Sequence, residues 1–111
     1  MLKVESNDQG IVIIPLFKET SFSNGETLES KVVELSFKEV KGYFSYQYSV
    51  TGSAVIELYV SHIGEDYVLI DSVTCADTTN IRTPIIPVTK HLKFKVTGNS
   101  DGNISLTLAI V

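Results

Sequence analysis

GYFSYQYSVTGSAVIELYVSHIG, residues 42–64, alternates polar and apolar side chains along almost its whole length. Phe44, Tyr46, Tyr48 and Val50 fall on one face of a first strand, and Ser45, Gln47 and Ser49 on the other. Ala54, Ile56, Leu58 and Val60 repeat the pattern after Thr51-Gly52-Ser53. A period of two is what a pleated strand with one buried face requires. The reading is two strands joined by a tight turn, their apolar stripe forming part of a core. That stripe carries no nucleophile, carboxylate or metal ligand.

Outward from this stretch the pattern recurs. Ile11 to Phe17 is β-branched and apolar, but Pro15 lacks the N–H of a central ladder, so an edge position or a bulge is expected. Ser23-Asn24-Gly25-Glu26 signals a turn, and Lys31 to Phe37 alternates with Val33, Leu35 and Phe37 on one face. Tyr67 to Val73 reads as a strand entered through Gly64-Glu65-Asp66, and Thr74 to Thr83 as a polar loop. Thr83-Pro84-Ile85-Ile86-Pro87-Val88 is extended, because each proline pushes the preceding residue out of the helical region. Leu92, Phe94 and Val96 line one strand; Ile104, Leu106, Leu108 and Ile110 line the last. Between them, Asp101-Gly102 is a hairpin signal. About eight short strands result, which predicts an all-β fold: an antiparallel β-sandwich or jelly roll. Residues 11–111 read as one sandwich domain, and the polar residues 1–10 as an N-terminal arm or an edge strand.

Composition narrows function by exclusion. The 111 residues are 43% hydrophobic and 20% charged, which suits one globular domain. A net charge of −4 argues against nucleic acid as the main partner, and Lys93 and Lys95 alternate with apolar residues as on a solvated strand face. Cys75 is the single cysteine, so no intramolecular disulfide can form. The first residues turn polar too soon for a signal peptide, and no apolar run has membrane-helix length. Folding in a reducing cytoplasm, away from membranes, is the expectation.

Each constellation that could carry chemistry has a plainer reading. His62 with Glu65 and Asp66 falls short of a four-ligand zinc site and reads as turn solvation; His91 sits at a strand entrance. Asn99 to Asn103 places oxygens at alternate positions, yet Ile104 and Ile110 stand where a calcium loop needs glycine and glutamate. Glu34 and Glu57 could pair as glycosidase carboxylates but occupy the polar phase of their strands. Cys75 has no nucleophile context, and no Gly-x-Ser-x-Gly elbow or phosphate loop occurs. No catalytic, cofactor or metal residue is assigned, and the chain is expected not to be an enzyme. Tyr43 and Tyr59, opposite the main apolar stripe, are the candidate partner-binding residues, as surface aromatics able to stack on a sugar or anchor a protein contact.

From Gly42 onward the chain resembles small β-sandwich virion proteins of tailed phages and prophages. The resemblance rests on Gly42-Tyr43-Phe44-Ser45-Tyr46-Gln47-Tyr48-Ser49-Val50-Thr51-Gly52, the turn Ser61-His62-Ile63-Gly64-Glu65-Asp66-Tyr67, the segment Pro84-Ile85-Ile86-Pro87, and Leu92-Lys93-Phe94-Lys95-Val96-Thr97-Gly98. Its turn departs from the pattern by holding Ile63-Gly64-Glu65-Asp66 in place of Asp-Gly. The resemblance covers residues 42–111 and transfers no catalytic or ligand residue. It implies a head decoration or auxiliary capsid protein, located in the virion after assembly in the host cytoplasm. Its partners would be the major capsid protein or other virion proteins and further copies of itself, with residues 1–10 as a docking element. The alternative is a carbohydrate- or receptor-binding module of a tail or head fibre, with a glycan bound at the tyrosines.

Overall fold

A computed structural model describes residues 2–4, 11–35, 44–85 and 89–110. Among them are eight strands: β1 (Leu2–Val4), β2 (Val12–Phe22), β3 (Thr27–Glu29), β4 (Val33–Leu35), β5 (Phe44–Ser61), β6 (Val68–Arg82), β7 (His91–Gly98) and β8 (Gly102–Ile110). The fold is an antiparallel β-sandwich, made from one sheet folded over on itself. Phe37, Gly42, Tyr43, Ile86, Pro87 and Val88 lie outside the described residues.

The 18-residue strand β5 organises everything else. Along one side it pairs with β6 from Tyr46 to Val60. Along the other, Phe44–Thr51 pairs with β8 and Ala54–Ser61 with β7. On the far side of β8 lies β2, while β3 and β4 follow one another along β7 and β1 runs parallel to β4. The first layer therefore contains β2, β8, the first half of β5 and the end of β6. The second contains β1, β4, β3, β7, the second half of β5 and the start of β6.

Three expectations from sequence are corrected here. Residues 42–64 do not form a hairpin: Phe44 to Ser61 is a single strand that bends at Thr51-Gly52-Ser53. Asp101-Gly102 does not turn a hairpin either, because β7 and β8 run in series beside β5. Thr74 to Arg82 is strand, not loop; its threonines are β-branched, and their polarity reflects an edge strand with solvent beside it. Pro15 lies in the edge strand β2, with register breaks between Pro15 and Phe17 and again before Thr20.

The fold-over is built from matched irregularities at one corner. Gly52 has a φ of 85° and Asp77, opposite it, a φ of 44°. The Gly52 N–H donates to Asp77 Oδ1 at 2.9 Å, and the Ser53 N–H to Ser100 Oγ at 2.9 Å. Asn99 N–H donates to the Ser53 carbonyl, Asn24 N–H to Asp101 Oδ1 and Gly25 N–H to the Gly98 carbonyl. The corner thus ties the bends of β5 and β6 to the β7–β8 connection and the β2–β3 turn, and satisfies backbone groups that the interrupted ladders release. A Cβ on Gly52 would collide with the Asp101 carbonyl oxygen, so glycine is required there by contact as well as by φ.

Inside the fold, Phe44, Tyr46, Tyr48, Val50, Ala54, Ile56, Leu58 and Val60 are all buried, as are Leu92, Phe94, Val96, Ile104, Leu106, Leu108 and Ile110. Burial of each large side chain contributes about 1.5–3 kcal/mol. Tyr46 from the first layer meets Phe94 from the second edge-on, with ring centroids 4.9 Å apart. The Tyr46 hydroxyl reaches on to Asp71 Oδ2 at 2.6 Å, and Arg82 grips the same carboxylate through Nε (3.1 Å) and Nη2 (2.8 Å). Asp71 belongs to the second layer and Arg82 to the first, so this clip fastens the open side of the sandwich opposite the corner.

Candidate interaction surface

Alternation sends every second side chain of β5, β7 and β3 to the outer face of the second layer. Thr97, Lys95 and Lys93 from β7 stand between Val55, Glu57 and Tyr59 of β5 and Thr27 and Glu29 of β3. Tyr67, just before β6, joins them. Lys95 Nζ lies 5.0 Å from the centroid of the Tyr59 ring, and Lys93 Nζ 4.3 Å from that of Tyr67. Lys93 also donates to Glu29 Oε1 at 2.6 Å, a bond that holds the Glu29 carboxyl below its usual pKa. The Tyr59 phenol is raised by desolvation and by the charge and hydrogen bonding of Glu57. Two lysines balance two glutamates, and each aromatic ring has a cation laid over it. The outcome is a charge-neutral, half-dry surface patch whose side chains are pinned before any partner arrives. Such a patch suits contact with another protein surface, since little side-chain entropy remains to be lost.

Of the two tyrosines singled out by sequence, Tyr59 lies on this patch and Tyr43 falls outside the described residues. Tyr67, Lys93 and Lys95 complete the patch, and the sequence carries no signal for their mutual stacking, because it depends on strand order.

Other candidate residues take structural positions. At the β5–β6 turn, Ser61 Oγ donates to the Glu65 carbonyl and accepts from the N–H groups of Ile63 and Gly64. His62, Glu65 and Asp66 are exposed there and, with Ile63, Val68 and Ile70, line a cleft of about 400 Å³. His91 lies beneath, its ring 3.5 Å from the position of a Cβ on Gly64. Glu34 pairs with His91 in the ladder and with Lys90 as an ion pair at 3.8 Å, whereas Glu57 pairs with Lys95. Their ladder partners lie four positions apart on β7, about 13 Å along the strand, which exceeds the span over which two carboxylates share one glycosidic bond. Cys75 is buried with its thiol against the Ala54 carbonyl at 3.6 Å, and burial raises its pKa, disfavouring thiolate. Asp101 and Ser100 spend their oxygens on the corner.

The Tyr46–Asp71–Arg82 clip also escaped the sequence reading. Its one signal was a carboxylate set within Tyr67–Val73 on a chain with a single arginine, since a half-buried charge demands a partner.

No protein-family model and no curated protein sequence matches this chain. Among solved structures, the chain is similar to PirA, with a TM-score of 0.54 and 12% identity, over 97% of this chain and 99% of that one. It is similar to a family 6 carbohydrate-binding module (TM-score 0.46, 16% identity, 94% and 84% coverage). It also resembles a chain of the infectious bursal disease virus Gx strain (TM-score 0.44, 12% identity), matching 90% of this chain but only 31% of that one. At these identities the likeness to PirA shows the β-sandwich fold and nothing of activity.

Proposed function

We propose that this chain is a non-enzymatic structural protein of a tailed-phage virion, a head decoration or auxiliary capsid protein that binds the outer shell and stabilises it. The supporting observation is the outer face of the second layer. Tyr59 and Tyr67 lie pinned under Lys95 and Lys93 in a neutral patch, while Asp71, Arg82, Asp77, Ser100 and Asp101 are spent on holding the sandwich together. The resemblance of residues 42–111 to phage β-sandwich proteins supplies the partner class. Mechanistically, the patch would be buried across neighbouring capsid subunits, so that shell rupture must also break those contacts. Specific interfaces bury on the order of 1,200 Å² or more.

The test is occupancy. Particles purified from the source culture should contain the chain at a fixed ratio to the major capsid protein. Shells stripped of it should rebind the purified chain and regain resistance to heat or low salt. The variant K93E/K95E should lose at least tenfold in occupancy while keeping its fold by circular dichroism. Particles without the chain, or undiminished rebinding of K93E/K95E, would refute the proposal. The carbohydrate-binding reading needs an open aromatic platform, and Tyr59 has Lys95 over its ring. A glycan-array signal that disappears in Y59A would nonetheless move the assignment to that class.

A further inference from the structure

Because β5 and β6 bend together, the same strand forms the edge of both layers on one side of the sandwich. Among the described residues nothing pairs with the outer edge of β6, so the outward-pointing half of the backbone donors and acceptors of this 15-residue strand stands open. Open edges are normally guarded by lysine, proline or bulges. The opposite edge, β2, carries Pro15, Lys18, two register breaks and Glu19 at a φ of 44°. Val68–Arg82 contains neither lysine nor proline, its own register breaks at Ile70 and Asp77 leave Asp71–Ala76 and Thr78–Arg82 in regular ladder with β5, and its inward carboxylate, Asp71, is already neutralised by Arg82. Large apolar side chains also gather here: Val68, Leu69 and Ile81 are exposed on β6, and Ile85, 99% exposed, follows just beyond it.

We infer that this edge binds a second copy of the chain, β6 against β6, in a twofold dimer whose axis runs along the strand direction between the layers. That rotation exchanges the two layers. The start of β6 in one copy then lies antiparallel to the end of β6 in the other, and both layers continue across the interface at once. The Asp71–Arg82 contact sets the two halves of β6 at matching heights within one copy. Across the dimer the same heights bring Asp71 opposite Arg82 of the second copy, Ser72 opposite Ile81, and Thr74 opposite Thr79. Charge is complementary in this register, with no two carboxylates opposed, and Val68 and Leu69 come alongside Ile85 of the second copy. Five pairs, Asp71–Cys75 against Thr78–Arg82, lie within β6, and Val68–Ile70 beside Thr83–Ile85 of the second copy carry the contact to roughly 27 Å. The sandwich's smallest dimension is 22 Å. Each copy therefore buries on the order of 600 Å², which reaches the lower range of specific dimers. The contact is isologous, so it closes and does not grow into a fibre. It stands independently of what the outer face of the second layer binds.

Sedimentation of the full chain should show a monomer–dimer equilibrium, with dimer prominent at about 100 µM, as a contact of this size permits. I81K, which places a lysine on the solvent side of the edge, should raise the dissociation constant at least tenfold; L69K should do the same, and serves if I81K folds poorly. Mild oxidation of T74C/T79C should give a covalent dimer, because the two positions share an outer face across the interface but lie on opposite faces within one copy. T74C alone should give none. A chain that sediments as a monomer at about 100 µM, or a dimer unchanged in both lysine variants, overturns the inference. Cross-linking of T74C alone overturns the layer-exchanging arrangement.

Discussion

Replacing Tyr46 by phenylalanine removes one oxygen from the centre of the molecule and tests how the two layers are fastened. Tyr46 is 0% exposed, and its hydroxyl donates to Asp71 Oδ2 at 2.6 Å. A hydrogen bond to a charged acceptor contributes about 1.5–3 kcal/mol net. The ring keeps its contact with Phe94, and Asp71 keeps Arg82, so Y46F should lose only that bond, about 2 kcal/mol. For a domain of this size that corresponds to a fall in melting temperature of about 8 °C. The Arg82 side chain is 37% exposed and its ion pair adds at most about 1 kcal/mol. D71A should cost more than Y46F, because it also strands the buried hydroxyl without an acceptor. In a double-mutant cycle, Y46F and D71A should couple by about 1–2 kcal/mol. The pH dependence follows from the same contacts. Hydrogen bonding from Arg82, with Tyr46 and Ser72 adding to it, holds the Asp71 carboxyl below its usual pKa. A carboxyl lowered in the folded state stabilises above its unfolded pKa of about 4, and that stability is lost as pH falls through the folded value. The stability gap between the native chain and D71N should therefore be full at about pH 7 and shrink below about pH 4. A melting temperature for Y46F within about 2 °C of the parent, or a gap to D71N that stays constant down to about pH 2, would refute the reasoning.

Glycine replacements separate close approach from backbone strain. G52A and G25A both place a side chain at positive φ, but only at Gly52 would the new Cβ strike a carbonyl. In urea titrations G25A should cost about 1–2 kcal/mol, and G52A at least about 2 kcal/mol more, because the corner must open. F94A should lose about 3–5 kcal/mol by emptying the centre of the core, read from the same titrations. E29Q should change stability by less than about 1 kcal/mol, and that difference should shrink further in high salt, since the Glu29 side chain is half exposed. Cys75 should resist iodoacetamide in the native chain and react on unfolding, measured by mass spectrometry across a denaturant series.

How far the sequence reaches is clearest at residues 44–60. Their alternation assigned the buried face of every residue in the stripe, and the same rule assigned Leu92, Phe94, Val96 and the even residues from Ile104 to Ile110. Side-chain parity is a local property of a pleated chain, so it can be read without knowing what lies across from it. The candidate surface was legible only in part: Tyr59 stood out by its phase, but its neighbours Lys93, Lys95 and Tyr67 come from segments whose adjacency no local rule predicts. The loop reading of Thr74–Arg82 failed because an edge strand with solvent beside it has a loop's polarity.

Local alternation, then, decided the fold class, the two-sidedness of each strand and the membership of the core. What tertiary structure alone decided was the path of the chain through Thr51-Gly52-Ser53 and Gly98–Gly102. A three-residue break preserves parity whether the chain reverses into a hairpin or runs on through a bend, so the pattern on either side is identical. The choice is made by partners distant in sequence: Asp77 accepting from Gly52, Ser100 accepting from Ser53, and Asn24 bound to Asp101. Those contacts turn two apparent hairpins into one corner, and make β6 the edge of both layers among the described residues.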